Sequence, residues 1–156
     1  MRFGVLGDAK IARTKLLPAI RAAGHKVTHL GRRDASAGAD PAWGPVTVTS
    51  YDELLQDPQV DAVYNALPNH LHVPWSLQAL ASGKPVLCEK PVALKVHDLD
   101  RLAAAAVRTG SGCRWFASND AGCTYYMDYG QRWACPETCC ELRDSSPVAI
   151  ASPPAI

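Results

Sequence analysis

The sequence predicts an α/β fold in which helices cover both faces of a doubly wound parallel sheet. Short apolar runs alternate with helical patterns from Arg2 to Gly110, which is the order of elements in βαβ units. The apolar run from Val60 to Leu67 has the composition of a strand covered on both faces. Glycines at positions 24, 83 and 110 stand where the predicted helices end, which is the usual place for a helix-terminating glycine.

The first half of the chain contains three predicted strands. The run Arg2–Leu6 ends in Gly7 and leads into a first helical turn, which is followed by a main helix with Pro18 near its start. A second strand covers Lys26–Leu30 and opens into the polar turn that begins at Gly31. A loop or short frayed helix over residues 34–44 then precedes a third strand, Val46–Val48.

The second half adds two strands and three helices. Ser50 and Glu53 have the spacing of a capping box, so a short helix starts there and ends before Pro58. The strand of residues 60–67 is followed by a helix over residues 74–81 and by a fifth strand over residues 85–88. A last helix starts at Asp98 and ends at Gly110, since its apolar side chains recur at helical spacing: Leu99, Leu102, Ala103 and Ala106.

Composition predicts an ordinary globular domain without a nucleic-acid or membrane partner. The chain has 156 residues, of which 47% are hydrophobic and 20% charged, and its net charge is +1, so no broad basic surface is expected. Neither a signal peptide nor an apolar stretch of membrane-spanning length is present in the sequence. A cytoplasmic location is therefore expected.

Residue usage changes near residue 110. All five histidines precede it, five of the six cysteines follow it, and the net charge is +3 before and −2 after it. We therefore predict a domain over residues 1–110 and an irregular, poorly ordered, cysteine-rich tail over residues 111–156. The tail has no histidine and no paired C-x-x-C knuckles, so no metal site is expected.

The turn after the first strand, Gly7-Asp8-Ala9-Lys10-Ile11-Ala12, has the spacing of the dinucleotide fingerprint, with Ala9 in place of its second glycine. Such a turn lets backbone amides approach a pyrophosphate at a helix N-terminus. A tight turn without a ligand has the same spacing, and both interpretations stay open. On the first interpretation, residues 7 to 11 bind the cofactor.

The type of residue after the second strand indicates which of two cofactors, NAD or NADP, is favoured. An acid in this region suits the ribose hydroxyl of NAD, whereas arginine suits the 2′-phosphate of NADP. The sequence has Arg32 and Arg33 there, and its first acid is Asp34. NADP is therefore favoured, NAD remains the alternative, and two solvated surface arginines would give the same sequence.

Cys88-Glu89-Lys90-Pro91 follows the fifth strand. Ligands of an open α/β sheet lie outside the carboxyl ends of its strands, which places Lys90 beside the nicotinamide end of a bound cofactor. A lysine there can donate to a substrate oxygen and help to move its proton. A surface pair of Glu89 and Lys90 is the alternative, and Cys88 is expected to be a small buried strand residue.

Together these motifs resemble the Gfo/Idh/MocA family of oxidoreductases. The resemblance covers Arg2 to about Gly110, and its most specific blocks are Leu67-Pro68-Asn69-His70-Leu71-His72 and the segment from Ala81 to Pro91. It implies a Rossmann domain that binds NAD(P), with Lys90 near both nicotinamide and substrate. It also implies that the cofactor lies by the Asn-x-x-His and Glu-Lys-Pro segments, including Leu67, Pro68, Asn69, His72 and Glu89.

The family resemblance implies NAD(P)-dependent oxidation or reduction of a sugar, cyclitol or polyol. A typical member continues into a second α/β domain that builds the substrate pocket and often mediates homo-oligomer formation, and this chain has no room for it. Because the likeness ends abruptly near Gly110, we hypothesise a truncated or frameshifted gene, which would leave the fifth strand without its sixth neighbour. The alternative to an active enzyme is a catalytically incomplete dinucleotide-binding remnant.

Overall fold

The computed structural model describes residues 1–110, 113–118 and 124–128, and its centre is a seven-stranded sheet in the order β3-β2-β1-β4-β5-β6-β7. Strands β1 to β6 are parallel, whereas β7 runs antiparallel to β6. The predicted doubly wound parallel sheet is thus confirmed. The strands are β1 (Arg2–Leu6), β2 (Lys26–Gly31), β3 (Thr47–Thr49), β4 (Ala62–Asn65), β5 (Val86–Cys88), β6 (Cys113–Ser118) and β7 (Thr124–Asp128).

The helix after β1 accommodates Pro18 by changing its winding. A π-helical turn, Ala12–Leu16, leads without interruption into α1 (Leu17–Ala22). Proline has no amide hydrogen, and its ring would clash with the carbonyl four residues earlier in a regular helix. A wider turn before Pro18 moves that carbonyl away. The helix ends as predicted, with Gly24 at φ 76°.

Helix α2 (Tyr51–Gln56) begins with the predicted capping box. The Ser50 hydroxyl accepts a hydrogen bond from the Glu53 amide at 3.3 Å, and the Glu53 carboxylate accepts one from the Ser50 amide at 2.8 Å. Each side chain thus satisfies a backbone donor that the helix itself leaves unpaired. The short helix is fixed at the end of β3.

Helix α3 (Asn69–Ala81) begins five residues before the predicted start at Pro74. Pro74 is therefore an internal helical residue, which the prediction had placed in the first turn. Because proline has no amide hydrogen, Pro74 leaves the His70 carbonyl without its helical donor. Both residues are exposed, so water can donate a hydrogen bond to that carbonyl. Because of this early start, Asn69 and His72 are helical residues.

Helix α4 (Val96–Thr109) also begins earlier than predicted. Lys95 occupies the N-cap position without a side-chain cap, and Asp98 lies in the first turn, where its carboxylate pairs with Arg101 at 2.8 Å. Gly110 ends the helix in the left-handed conformation, as the sequence predicted. The extra residues at the start shorten the connection from β5.

The hydrophobic core consists of two layers on opposite faces of the sheet. Side chains of β4 alternate between them, with Val63 packed in the layer below α3 and α4 and Tyr64 in the layer below α1. All four residues of β4 are buried, as predicted for a strand covered on both faces. His29 on β2 is buried, with only 5% of it exposed, and its Nε2 lies 3.2 Å from Asp57 Oδ2.

Strands β6 and β7 overturn part of the expectation for the region after Gly110. The sequence predicted no element there, but Cys113–Ser118 pairs with β5 and Thr124–Asp128 pairs with β6. The fifth strand therefore has its sixth neighbour. The rest of the predicted tail lies outside the described residues. Within the described ranges, none of the helices has the length and apolar character needed to cross a membrane.

Candidate functional site

A cleft of about 600 Å³ opens at the carboxyl ends of β1, β2 and β4. Neighbouring strands β1 and β4 are followed by connections that leave in different directions, and this switch point is where open α/β sheets bind ligands. Residues that follow four of the strands, β1 to β4, form the wall: Gly7, Asp8, Ala9, Arg32, Arg33, Asp34, Tyr51, Ala66, Leu67 and Pro68.

Gly7 makes the turn out of β1 at the floor of this cleft. Its φ is +92°, and its amide donates to the Gly31 carbonyl at 3.0 Å. A Cβ atom at this position would lie 3.0 Å from the Leu67 side chain and 3.3 Å from the Ala66 carbonyl. The backbone therefore passes close under the segment after β4, and the first helical amides follow directly, as in a cradle for a pyrophosphate.

Asp8 lies in the cleft wall and is bound by three side chains. Its carboxylate accepts a very short hydrogen bond from Arg13 and one of 2.8 Å from Trp43 Nε1, and it lies 3.8 Å from Arg32. Partial burial acts to raise the pKa of Asp8, but the hydrogen bonds and positive charges outweigh it and lower that pKa. Asp8 thus remains an anion that holds two arginines near the cleft.

The two predicted arginines have different surroundings. Arg32 donates to the carbonyls of Ala37, at 3.3 Å, and Gly38, so it braces the loop after β2. Arg33 is exposed on the cleft wall. Asp34, which also lines the cleft, accepts hydrogen bonds from the hydroxyl and amide of Ser36, and these lower its pKa. Both cationic and anionic groups are therefore available to the ribose end of a dinucleotide.

Lys90 lies after β5, outside the wall of this cleft, and is exposed. Its amide donates to the Glu89 carboxylate at 3.2 Å, and the Lys90–Pro91 peptide bond is cis. The same carboxylate accepts a very short hydrogen bond from the hydroxyl of Tyr64, a β4 residue. Burial and the nearby Glu89 raise the pKa of Tyr64, which keeps its hydroxyl a donor. Glu89 therefore connects the Lys90 segment to the adjacent strand.

The two residues of the Asn-x-x-His segment differ in exposure. Asn69 is the exposed first residue of α3, whereas His72 is only 1% exposed and lies beneath the surface. The ring nitrogens of His72 approach the carbonyl oxygens of Leu67 and Pro91 at 2.6 and 2.7 Å. His72 therefore contacts the backbone of two segments that the sequence predicted to be near the cofactor.

The cleft brings together seven of the residues that the sequence predicted for cofactor binding: Gly7, Asp8, Ala9, Arg32, Arg33, Leu67 and Pro68. The exposed residues Lys10 and Ile11 begin the first helix and are outside the cleft wall, as are Asn69, His72, Glu89 and Lys90.

Three wall residues were not predicted: Asp34, Tyr51 and Ala66. The sequence distinguishes Asp34 only as the first acid after β2. Tyr51 follows the capping Ser50, a pattern that indicates a helix start but gives no sign of proximity to the cleft. Its ring contacts Trp75 edge to face, with centroids 4.9 Å apart. Trp75 in turn packs against the core.

Comparison with known proteins agrees with this geometry. The profile of an oxidoreductase family with an NAD-binding Rossmann fold, Gfo/Idh/MocA, matches residues 1–115. An uncharacterised oxidoreductase of Rhizobium meliloti is 46% identical over 114 residues, which are 70% of this chain and 34% of that protein. A dTDP-3,4-didehydro-2,6-dideoxy-α-D-glucose 3-reductase of Streptomyces violaceoruber is 41% identical over 70% of this chain and 33% of its own.

Solved structures show the same architecture. A 3-ketoreductase from Actinomadura kijaniata, crystallised with NADP and TDP-benzene, superposes with a TM-score of 0.66 at 35% identity, over 74% of this chain and 36% of that one. An NAD-binding oxidoreductase from Klebsiella pneumoniae gives a TM-score of 0.68 at 28% identity, over 74% and 34% of the two chains. The chain thus spans about a third of the length of the relatives it matches.

Proposed function

Because this chain belongs to the Gfo/Idh/MocA family of NAD(P)-binding oxidoreductases, we propose that it carries the cofactor half of an NADP-dependent enzyme acting on a sugar, cyclitol or related polyol. The observation that supports this most directly is the cleft, with the Gly7 turn at its floor and Arg32 and Arg33 on its wall. The sugar reductase of Streptomyces violaceoruber and the NADP complex of the Actinomadura enzyme support the substrate class and the cofactor.

The described residues fit a dinucleotide. The Gly7 backbone leaves room that a Cβ atom would fill, and Ala9 is the smallest side chain that could replace the second glycine of the fingerprint. The amides of the first helical turn would hold the pyrophosphate, and Arg33 would face the 2′-phosphate. When bound, the nicotinamide supplies a site that accepts or donates hydride.

Lys90 is the proposed catalytic residue. Its ammonium group would donate a hydrogen bond to the reacting oxygen of the substrate and exchange a proton with it as a carbinol and a carbonyl interconvert. The Glu89 carboxylate would fix the backbone of Lys90 through the 3.2 Å hydrogen bond from its amide, while Tyr64 holds that carboxylate from β4.

A second candidate function is dinucleotide binding without turnover. It is supported by the position of Lys90, which lies outside the wall of the cleft. NAD remains the second candidate cofactor, because Asp34 lines the cleft beside Arg33 and an acid can bind a ribose hydroxyl.

Cofactor binding and turnover distinguish these functions. NADPH fluorescence should show saturable binding to the full chain, and a panel of sugars and polyols should then reveal NADP reduction. Lys90→Ala should abolish turnover with little change in the Kd of NADPH, while Lys95→Ala, an exposed residue of the next segment, should change neither. Binding without turnover on any substrate would favour the second function, and the absence of binding would refute both.

A further inference from the structure

The carboxylate of Asp8, a residue of the cleft wall, is held in one place by a buried tryptophan. Trp43 ends the 3₁₀-helical turn Pro41–Trp43 and is fully buried, and its Nε1 donates to Asp8 Oδ1 at 2.8 Å. Arg13 donates to the same oxygen. Only 18% of the Asp8 side chain is exposed, and both hydrogen bonds would have to break before the carboxylate could move. Asp8 therefore places a fixed negative charge at the cleft.

This charge lies beside the segment whose residues distinguish NAD from NADP. Asp8 Oδ2 is 3.8 Å from Nη1 of Arg32, and Arg32 is the first residue after β2. Domains that bind NAD usually have an acid in this region, which accepts a hydrogen bond from the ribose hydroxyl. In this chain β2 is followed by two arginines, but the turn after β1 brings a carboxylate to the same region.

The charges around the cleft balance one another. The charged residues of the wall and the ion-pair partners of Asp8 and Arg13 are three arginines and three acids: Arg13, Arg32, Arg33, Asp8, Asp34 and Asp40. Asp34 and Asp40 are exposed, so water screens their charges more than it screens that of Asp8. Removing the charge of Asp8 would therefore leave the cleft with a net positive charge.

We propose that Asp8 is a specificity-determining residue that limits the preference of the cleft for NADP over NAD. This inference rests on the proposed function. NADP has a phosphate on the ribose carbon where NAD has a hydroxyl, so a carboxylate beside Arg32 repels NADP more than NAD. The same carboxylate can accept a hydrogen bond from the hydroxyl of NAD. Asp8 thus opposes Arg33, and the choice of cofactor depends on both residues.

Asp8→Asn tests this role, because the asparagine oxygen can still accept a hydrogen bond from Trp43. Titration calorimetry of the full chain with NADP and NAD gives the ratio of the two affinities. In Asp8→Asn this ratio should shift towards NADP about tenfold, the effect expected from removing one unit charge from a partly solvated cleft. Asp40→Asn is the matched control and should leave the ratio unchanged, since Asp40 lies 3.7 Å from Arg13 but outside the cleft wall.

Ionic strength gives a second readout, which a purely structural role of Asp8 would not change. The difference in ratio between Asp8→Asn and wild type should shrink as salt is added, because dissolved ions screen the charge. A shift that does not depend on salt would indicate altered geometry and overturn the inference.

The outcomes separate this inference from the proposed function. If wild type binds NADP but the ratio is unchanged in Asp8→Asn, or shifts equally in Asp40→Asn, only the role of Asp8 is refuted. If wild type binds neither cofactor, the proposed function fails and the inference fails with it. If circular dichroism shows that Asp8→Asn does not fold, Asp8→Ser takes its place, because it removes the same charge and keeps an acceptor for Trp43.

Discussion

At the scale of single residues, the two arginines of the cleft wall, Arg32 and Arg33, differ in their contacts. Arg32 is engaged by Asp8 and by two loop carbonyls, so removing it would disturb the loop as well as the site. Arg33 is exposed on the wall, and the proposed function assigns the contact with the 2′-phosphate to it. Arg32 therefore supports the loop, whereas Arg33 is the arginine proposed to recognise the phosphate.

Arg33→Ala should weaken NADP binding by roughly 10- to 100-fold, the effect of one charge-assisted hydrogen bond or ion pair to the phosphate. NAD binding should change little, since NAD lacks that phosphate. Arg32→Ala should weaken both cofactors, because the loop loses its brace. Titration calorimetry with the two cofactors measures this, with Arg108→Ala on α4 as the control. Equal losses of NADP and NAD in Arg33→Ala would exclude a 2′-phosphate contact.

Gly7 offers a second residue-scale test, because Gly83 supplies a matched control. Both glycines have positive φ, +92° and +72°, but a Cβ atom at Gly83 would meet nothing within 4 Å. Gly83→Ala should therefore cost about 1–2 kcal/mol, for the backbone conformation alone. Gly7→Ala should cost more and also reduce NADPH affinity, since its Cβ would press on Leu67 and on the Ala66 carbonyl.

Urea denaturation and NADPH titration of both variants provide the measurement. Equal losses of stability, together with unchanged NADPH binding in Gly7→Ala, would show that the close approach under the cleft is not important. A loss of binding in Gly83→Ala would instead indicate a general effect of strained glycines.

At the scale of elements, Arg2 and Asp61 join the start of β1 to the approach to β4. The Asp61 carboxylate accepts from the Arg2 amide at 2.7 Å and from its guanidinium at 2.7 Å. The hydrogen bonds from the Arg2 side chain and backbone lower the pKa of Asp61 to about 2. Because the pKa is lower in the folded state, the pair stabilises the fold above the ordinary value of 3.8 and loses this effect as pH falls towards 2.

Asp61→Asn should consequently lower the thermal midpoint at pH 7, and its difference from wild type should shrink between pH 4 and pH 2. Thermal denaturation followed by circular dichroism over this pH range measures the effect. Asp100→Asn, an exposed change on α4, is the control. A difference between Asp61→Asn and wild type that does not depend on pH would contradict the role of the charge.

Element boundaries also show which features the sequence could predict. The capping box at Ser50 and the glycine stop at Gly110 depend on neighbouring residues, so both could be predicted locally. The start of α3 could not be predicted in this way. Pro74 leaves the His70 carbonyl without its helical donor, so a helix that includes Pro74 is tolerated only where that carbonyl reaches solvent, which depends on the tertiary structure. The same limit applies to the site: the Gly7 turn follows from local spacing, but the contact between His72 and Pro91 depends on how α3 and β5 pack.

At the scale of the whole molecule, the order of the sheet strands brings the parts of the site together. Strands β1 and β4 are neighbours although about sixty residues separate them in sequence, so the Gly7 turn meets Leu67 and Pro68. Strand β5 adjoins β4 and brings Glu89 beside Tyr64. Three motifs that are distant in the chain thus meet at one edge, which explains why their order, more than any single motif, carried the family resemblance.

The place where the domain ends can be tested by comparing fragments. We proposed a domain over residues 1–110, but β6 pairs with β5 through Val86–Cys113, Leu87–Arg114 and Cys88–Trp115. A fragment of residues 1–110 would leave one side of β5 unpaired, at a cost of about 1 kcal/mol for each net hydrogen bond lost, and would expose an edge that favours aggregation.

A fragment of residues 1–128, which retains β6 and β7, should therefore unfold at a higher urea concentration and scatter less light than the shorter one. It should also bind NADPH more tightly, because β5 pairs with β4, and the segment after β4, with Leu67 and Pro68, lines the cleft. Urea denaturation, light scattering and fluorescence titration of the two fragments measure these differences. If residues 1–110 match residues 1–128 in all three measurements, the domain ends at Gly110 and the strands that follow contribute nothing to its stability.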